Sequence, residues 1–176
     1  MIARHPIGTN HAIRMKRIRR DVPTVTIALI LLLAGCSNQP EFLGNHPLEG
    51  EVWYISDTAK WTWPVKDTTQ YYDLSLAVQH STSYPYANLY LFVGVTGPDG
   101  ATVADTLNYP LCSPEGKWYG EGFGSSRTII LPYRTGSRMA QTGNYTFTVL
   151  QGMRMNPLPG IRTVSLIVHQ HQDGKE

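Results

Sequence analysis

The chain has 176 residues, with 15 Lys+Arg against 13 Asp+Glu and only 16% charged residues. That length fits one domain. The low charge excludes a coiled coil or a charged disordered tail, and a net of +2 is too small to point to nucleic acid.

The first 36 residues read as an address. Residues 14–20 hold five basic residues in seven, residues 25–33 are apolar except Thr26, and Ala34-Gly35-Cys36 follows. A basic stretch, a short apolar stretch and a small-residue cleavage site make a secretory signal. Nine residues are too few for a spanning helix, which needs about 20. Leu33-Ala34-Gly35-Cys36 also matches the bacterial lipobox at every position. Cys36 is therefore the expected lipidation site and the new N-terminus; the alternative is an ordinary secretory signal with a chance cysteine. Met15 is the expected true start, because residues 1–14 add nothing a signal needs.

Removing residues 1–35 takes six of the fifteen basic residues and one acid, so the mature chain carries a net of −3. Its remaining thiol is Cys112, read as a packed small residue, since nothing near it in sequence would activate it. With Cys36 acylated, no intrachain disulfide is possible, and two cysteines cannot make a four-cysteine zinc site.

Residues 36–50 mix turn formers with few apolar residues and show no periodicity, so they read as a lipidated N-terminus and tether. Residues 51–172 read as the domain. Strands are expected at 51–56 and 61–66, though weakly. Tyr72, Leu74, Leu76 and Val78 alternate with polar or small residues, the period of a half-buried strand. Residues 88–96 are apolar on both faces, which suits a central strand. Gly97-Pro98-Asp99-Gly100 has the composition of a tight turn and joins 88–96 to 101–109 as a hairpin. Further strands are expected at 127–133, 143–151 and 161–170. About eight short strands separated by Gly and Pro predict an all-β antiparallel sandwich, jelly-roll or immunoglobulin-like, with a closed barrel as the alternative.

Several stretches resemble one known family. Lys66-Asp67-Thr68-Thr69-Gln70-Tyr71 is one, and Ser83-Tyr84-Pro85-Tyr86-Ala87-Asn88-Leu89-Tyr90-Leu91-Phe92-Val93 is another. Others are Pro114-Glu115-Gly116-Lys117-Trp118, Gly120-Glu121-Gly122-Phe123-Gly124 and Pro157-Leu158-Pro159-Gly160-Ile161. In this order, behind a lipobox, they resemble the gliding motility lipoprotein GldH family of Bacteroidetes. The resemblance implies an envelope lipoprotein linked to gliding, a process tied to type IX secretion in that phylum. It implies no enzymatic activity and no cofactor. The expected partners are the membrane, through the anchor, and envelope proteins.

Site signals are sparse. Gly122-Phe123-Gly124-Ser125-Ser126 is not a nucleophile elbow. His169, His171 and Asp173 sit at the chain end on a face expected to be solvated, and no metal site is assigned to them. Trp61 and Trp63 share a face of one strand; exposed, they would stack on sugars, and inward they would fill the core. The expected alternative function is thus a glycan- or peptidoglycan-binding module using Trp61 and Trp63. The favoured recognition surface is Trp118, Tyr119 and Phe123 in a stretch with three glycines: large aromatic area on a backbone that can approach a partner closely. Ser37-Asn38-Gln39-Pro40 lacks both an Asp directly after Cys36 and an acidic run, so the expected address is the outer membrane, facing the periplasm.

Overall fold

The computed structural model describes residues 39–172. The signal segment, Cys36 and Asp173 lie outside the described residues. Ten strands follow in chain order: β1 (Phe42–Pro47), β2 (Val52–Trp53), β3 (Ala59–Val65), β4 (Tyr71–Ser81), β5 (Asn88–Thr96), β6 (Thr102–Pro110), β7 (Ser126–Arg138), β8 (Gly143–Gln151), β9 (Leu158–Pro159) and β10 (Ile161–Gln170).

One four-stranded sheet has the order β1-β10-β4-β7, the other β3-β8-β5-β6, and β2 pairs with β9 alone. All pairings are antiparallel. Apart from the two-residue strands, the hydrogen-bonded mates nest: β5 with β6, β4 with β7, β3 with β8, β1 with β10. That is one long hairpin rolled into two sheets. The expected sandwich is thus observed, and of its two forms the pairing is that of a jelly roll.

Period 2 explains the core. Ala59, Trp61, Trp63 and Val65 of β3 are buried, as are Tyr145, Phe147 and Val149 of β8 and Leu89, Leu91 and Val93 of β5. They face Tyr72, Leu74, Leu76 and Val78 of β4 and Val164, Leu166 and Val168 of β10. The two sheets meet through Trp63 and Tyr72, whose rings lie edge to face at 4.9 Å. β5 is internal, as its sequence suggests, but its outer residues Tyr90 and Phe92 are 40% and 46% exposed.

The turn at 97–100 forms as its residues dictate. Gly97 N–H donates to Ala101 C=O at 2.8 Å, Asp99 Oδ1 accepts the Ala101 N–H at 3.0 Å, and Gly100 takes φ +82°.

Two strands were not anticipated. β9 is a two-residue pairing in a proline-rich stretch. β1 lies inside the segment read as tether, which corrects that boundary: the sheet begins at Phe42. Its inward position is Gly44, where an added Cβ would collide with the Trp61 indole. Trp61 supplies the apolar volume that β1 itself lacks, so β1 carries no hydrophobic period to read.

Asp73 ties the ends of β4, β7 and β10 together. Its Oδ1 accepts the Gly136 N–H at 2.8 Å, and both its oxygens meet His171 Nδ1, at 2.8 and 2.9 Å. Partial burial raises its pKa, but these two partners outweigh that and bring it below the ordinary value of 3.8. A depressed carboxylate pKa stabilises the fold above the unfolded value and loses that contribution as pH falls through the folded one. Thermal melts in acid should therefore show a smaller drop for Asp73→Asn than for the wild type. Equal drops would separate this carboxylate from acid unfolding.

Candidate functional site

The jelly roll has two distinct ends. The chain enters at Phe42, which pairs with Val168, itself opposite Leu74. The turns at 66–70, 97–101 and 139–142 lie at this end. The other end carries the loops at 82–87, 111–125 and 152–157. β4 runs 11 residues between the ends, about 35 Å at the usual rise per residue.

The loop at 111–125 is built by short-range pairing. Cys112 and Trp118 form an isolated bridge, and Tyr119 N–H donates to Leu111 C=O at 2.8 Å. Within it, Ser113 N–H donates to Lys117 C=O at 2.8 Å and Gly116 N–H to Ser113 C=O at 2.9 Å. The chain then folds against the start of β7. Glu121 and Thr128 exchange backbone hydrogen bonds of 3.0 and 2.7 Å. Gly120 and Gly122 permit this approach: a Cβ on either would collide with the backbone of Thr128 or of Ser126. Arg127 Nη1 donates to the carbonyls of Gly124 at 2.9 Å and Ser126 at 2.7 Å, bracing the tip.

The three aromatics of this stretch take different places. Trp118 is half-buried, edge to face with His80 at 4.8 Å and 6.4 Å from Tyr84. Tyr119 is 42% exposed and Phe123 is 95% exposed. One aromatic therefore plugs the end of the sandwich while two face solvent. Under Trp118, His80 is fully buried. Desolvation lowers its pKa and the nearby Arg127 charge adds to this, against the Ser81 carbonyl. That carbonyl, 3.0 Å away, takes the proton of Nδ1 in the neutral ring. His80 is thus a neutral packing residue in the floor of the site.

Neighbouring loops extend the surface. Gly160 packs against Tyr84, since a Cβ there would lie 3.0 Å from Tyr84 Cα, and Ser81 N–H donates to Gly160 C=O at 2.7 Å. This places the Tyr84-Pro85-Tyr86 and Pro157–Gly160 stretches at one end. Ile55 N–H donates to Asn156 Oδ1 at 2.9 Å, which brings exposed Tyr54 and Ile55 beside exposed Met155. These three were missed in the sequence, where they stand as isolated apolar residues among turn formers.

Of the two readings of Trp61 and Trp63, the inward one holds and the sugar-stacking alternative does not. The two residues are 7% and 2% exposed, so neither presents a face to a sugar ring. Core packing takes both indoles because β3 is the edge strand that Gly44 and Tyr72 cover from the opposite sheet. Cys112 is a free, half-buried thiol whose Sγ lies 3.9 Å from Ala87 C=O. Among the described residues no three His, Cys, Asp or Glu gather at one point, and no helix is long and apolar enough to cross a membrane.

A family model described as GldH lipoprotein matches residues 42–168. The chain is similar to the gliding motility lipoprotein GldH of Flavobacterium johnsoniae, with 27% identity over 80% of this chain and 87% of that one. It is also 34% identical over 90 residues to a gliding motility lipoprotein GldH homolog of Christiangramia forsetii. That match covers 51% of this chain, and the chain spans only 56% of that relative's length. Among solved structures it shows a slight likeness to dimeric latent PorU from Porphyromonas gingivalis. The TM-score is 0.36, with 12% identity, over 75% of this chain and 13% of that one. A likeness that slight carries no structural argument.

Proposed function

We propose a binding role for this chain, which belongs to the GldH lipoprotein family and so to membrane-anchored envelope proteins linked to gliding motility. In this reading it is a non-catalytic scaffold component of the gliding or type IX secretion-associated machinery. Lipid on Cys36 holds it to the outer membrane, facing the periplasm. The anchor confines the domain to the membrane and raises its effective concentration for a partner there.

One observation supports this best. Phe123 is 95% exposed at the end opposite the chain's entry, on a loop fixed against β7 through Gly120 and Gly122. A single exposed apolar residue needs no explanation. A phenyl ring held out on a braced loop, which also carries exposed Tyr119 and half-buried Trp118, does. The loop beneath the ring is already braced, so a partner loses little backbone entropy in covering it.

The test is in-cell crosslinking with a photoreactive residue at Glu121, beside the tip. Phe123→Ala and Trp118→Ala should each cut the crosslinked partner about tenfold or more, as hot-spot truncations do. Thermal melts would stay close to wild type for Phe123→Ala. If Trp118→Ala left both the crosslink and motility intact, the contact surface would lie elsewhere.

A further inference from the structure

A second feature lies at the end where the chain enters. A cavity of about 290 Å³ opens between the sheets, walled by Leu74, Val95, Val103, Met139, Tyr145 and Phe147. Leu74 and Phe147, its floor, are each 1% exposed, while Val103 at the rim is 52% exposed.

The opening has a cause in β7. Its pairing with β4 shifts register between Tyr72 and Leu74 and again between Leu74 and Ser75. Such bulges bend and twist a strand, and the cavity lies beside them. Farther along, the sheets are zipped shut. Tyr133 O–H donates to Asp105 Oδ2 at 2.6 Å, Arg134 pairs with the same oxygen at 3.0 Å, and Tyr109 O–H donates to Pro132 C=O at 2.6 Å. The result is an apolar slot closed on one side and open toward the chain's entry.

The charged groups around the slot are committed elsewhere. Asp99 holds its turn, Arg134 is paired with Asp105, and Arg138 Nε donates to Thr68 C=O at 2.7 Å. The side chains of Leu74 and Phe147 offer only carbon, with Ser137 and Gln141 also in the lining, which suits an alkyl chain better than a sugar or peptide backbone. A water-sized group, close to a methylene in bulk, takes about 30 Å³, so the slot accommodates a run of about ten methylenes.

We propose that this cavity binds a single acyl chain. Its position favours that ligand: the strand that leads back to Cys36 enters at this end. β1 and β7 are three strand spacings apart, about 14 Å, and the five residues between Cys36 and Phe42 extend to nearly 20 Å. The acyl chain therefore comes either from the protein's own anchor or from a neighbouring membrane lipid. The anchor is part of the proposed function, but the cavity's chemistry does not depend on it.

The probe is dansyl-labelled undecanoic acid, titrated into the mature chain carrying Cys36→Ser, which keeps every described residue. Saturable one-to-one fluorescence enhancement, reversed by palmitate, is expected. Val103→Trp and Ala140→Trp, both at exposed rim positions, should weaken binding about tenfold or more with unchanged melting temperature. Absence of saturable binding, or full binding by both rim variants, would overturn the proposal. The lipidated protein, stripped of bound lipid by detergent exchange, separates the sources: failure to take up the probe means its own chain fills the slot, and normal uptake means the slot is left for a membrane lipid. Intact mass of the membrane-extracted protein tests the anchor independently. A missing acyl mass would end the anchor reading while leaving the Cys36→Ser titration decisive for the cavity.

Discussion

Trp63→Ala is expected to cost about 3–5 kcal/mol of unfolding free energy, the usual toll of deleting a buried large aromatic. Trp63 is 2% exposed, edge to face with Tyr72 at 4.9 Å and tilted against Phe147 at 6.5 Å. With Trp61 on Gly44, it is one of the side chains through which the two sheets touch at the end where the chain enters. A domain of this size has about 5–15 kcal/mol in total, so the variant should lose a large fraction of its stability. Urea titration followed by tyrosine and tryptophan fluorescence gives the comparison. Phe123→Ala, at the exposed tip, should stay within about 0.5 kcal/mol of wild type. If Trp63→Ala unfolded at the wild-type midpoint, the packing described here would be wrong, and an exposed role for that face would have to be reconsidered.

The same residue shows where sequence reading stops. That Trp61 and Trp63 share a face follows from period 2. Which way that face points depends on β1 and β4, which lie far off in the chain. Gly44 leaves room for Trp61, and Tyr72 closes over Trp63. Strands whose own residues fill the core were legible: β5, β8 and β10 start and end where their alternation does. β1 was not, because its inner position is a glycine serving another strand's side chain, and a tether and such a strand look alike in composition. In the loop at 111–125 the glycines were legible as a signal. Their reason was not: Gly120 and Gly122 are needed by the carbonyls of Thr128 and Ser126, and that closeness exists only after folding. Exposure of Phe123 and half-burial of Trp118 follow from it.

Cys36→Ser is expected to abolish palmitate incorporation and to move the protein into the soluble fraction, with its β-sheet fold intact. The last point follows from the fold: the first strand begins at Phe42, so the sheets close without residue 36. The first follows from the chemistry of the lipobox, which has no second thiol to accept the diacylglyceryl group at that position. Each buried methylene contributes about 0.8 kcal/mol, so one chain binds marginally and two or three hold permanently. With the anchor present, Phe42 lies within about 20 Å of the bilayer, and Phe123 is at the other end of the strands, about 35 Å along them. Without it, the same folded surface is free in the compartment at its bulk concentration. Partner capture by Tyr119 and Phe123 should then fall as far as it does on deleting the protein, although every contact residue is intact. Retained palmitate label, or a Cys36→Ser protein that still sediments with membranes, would place the attachment on another group. Full partner capture by the soluble form would mean that affinity alone, without confinement, sustains the interaction.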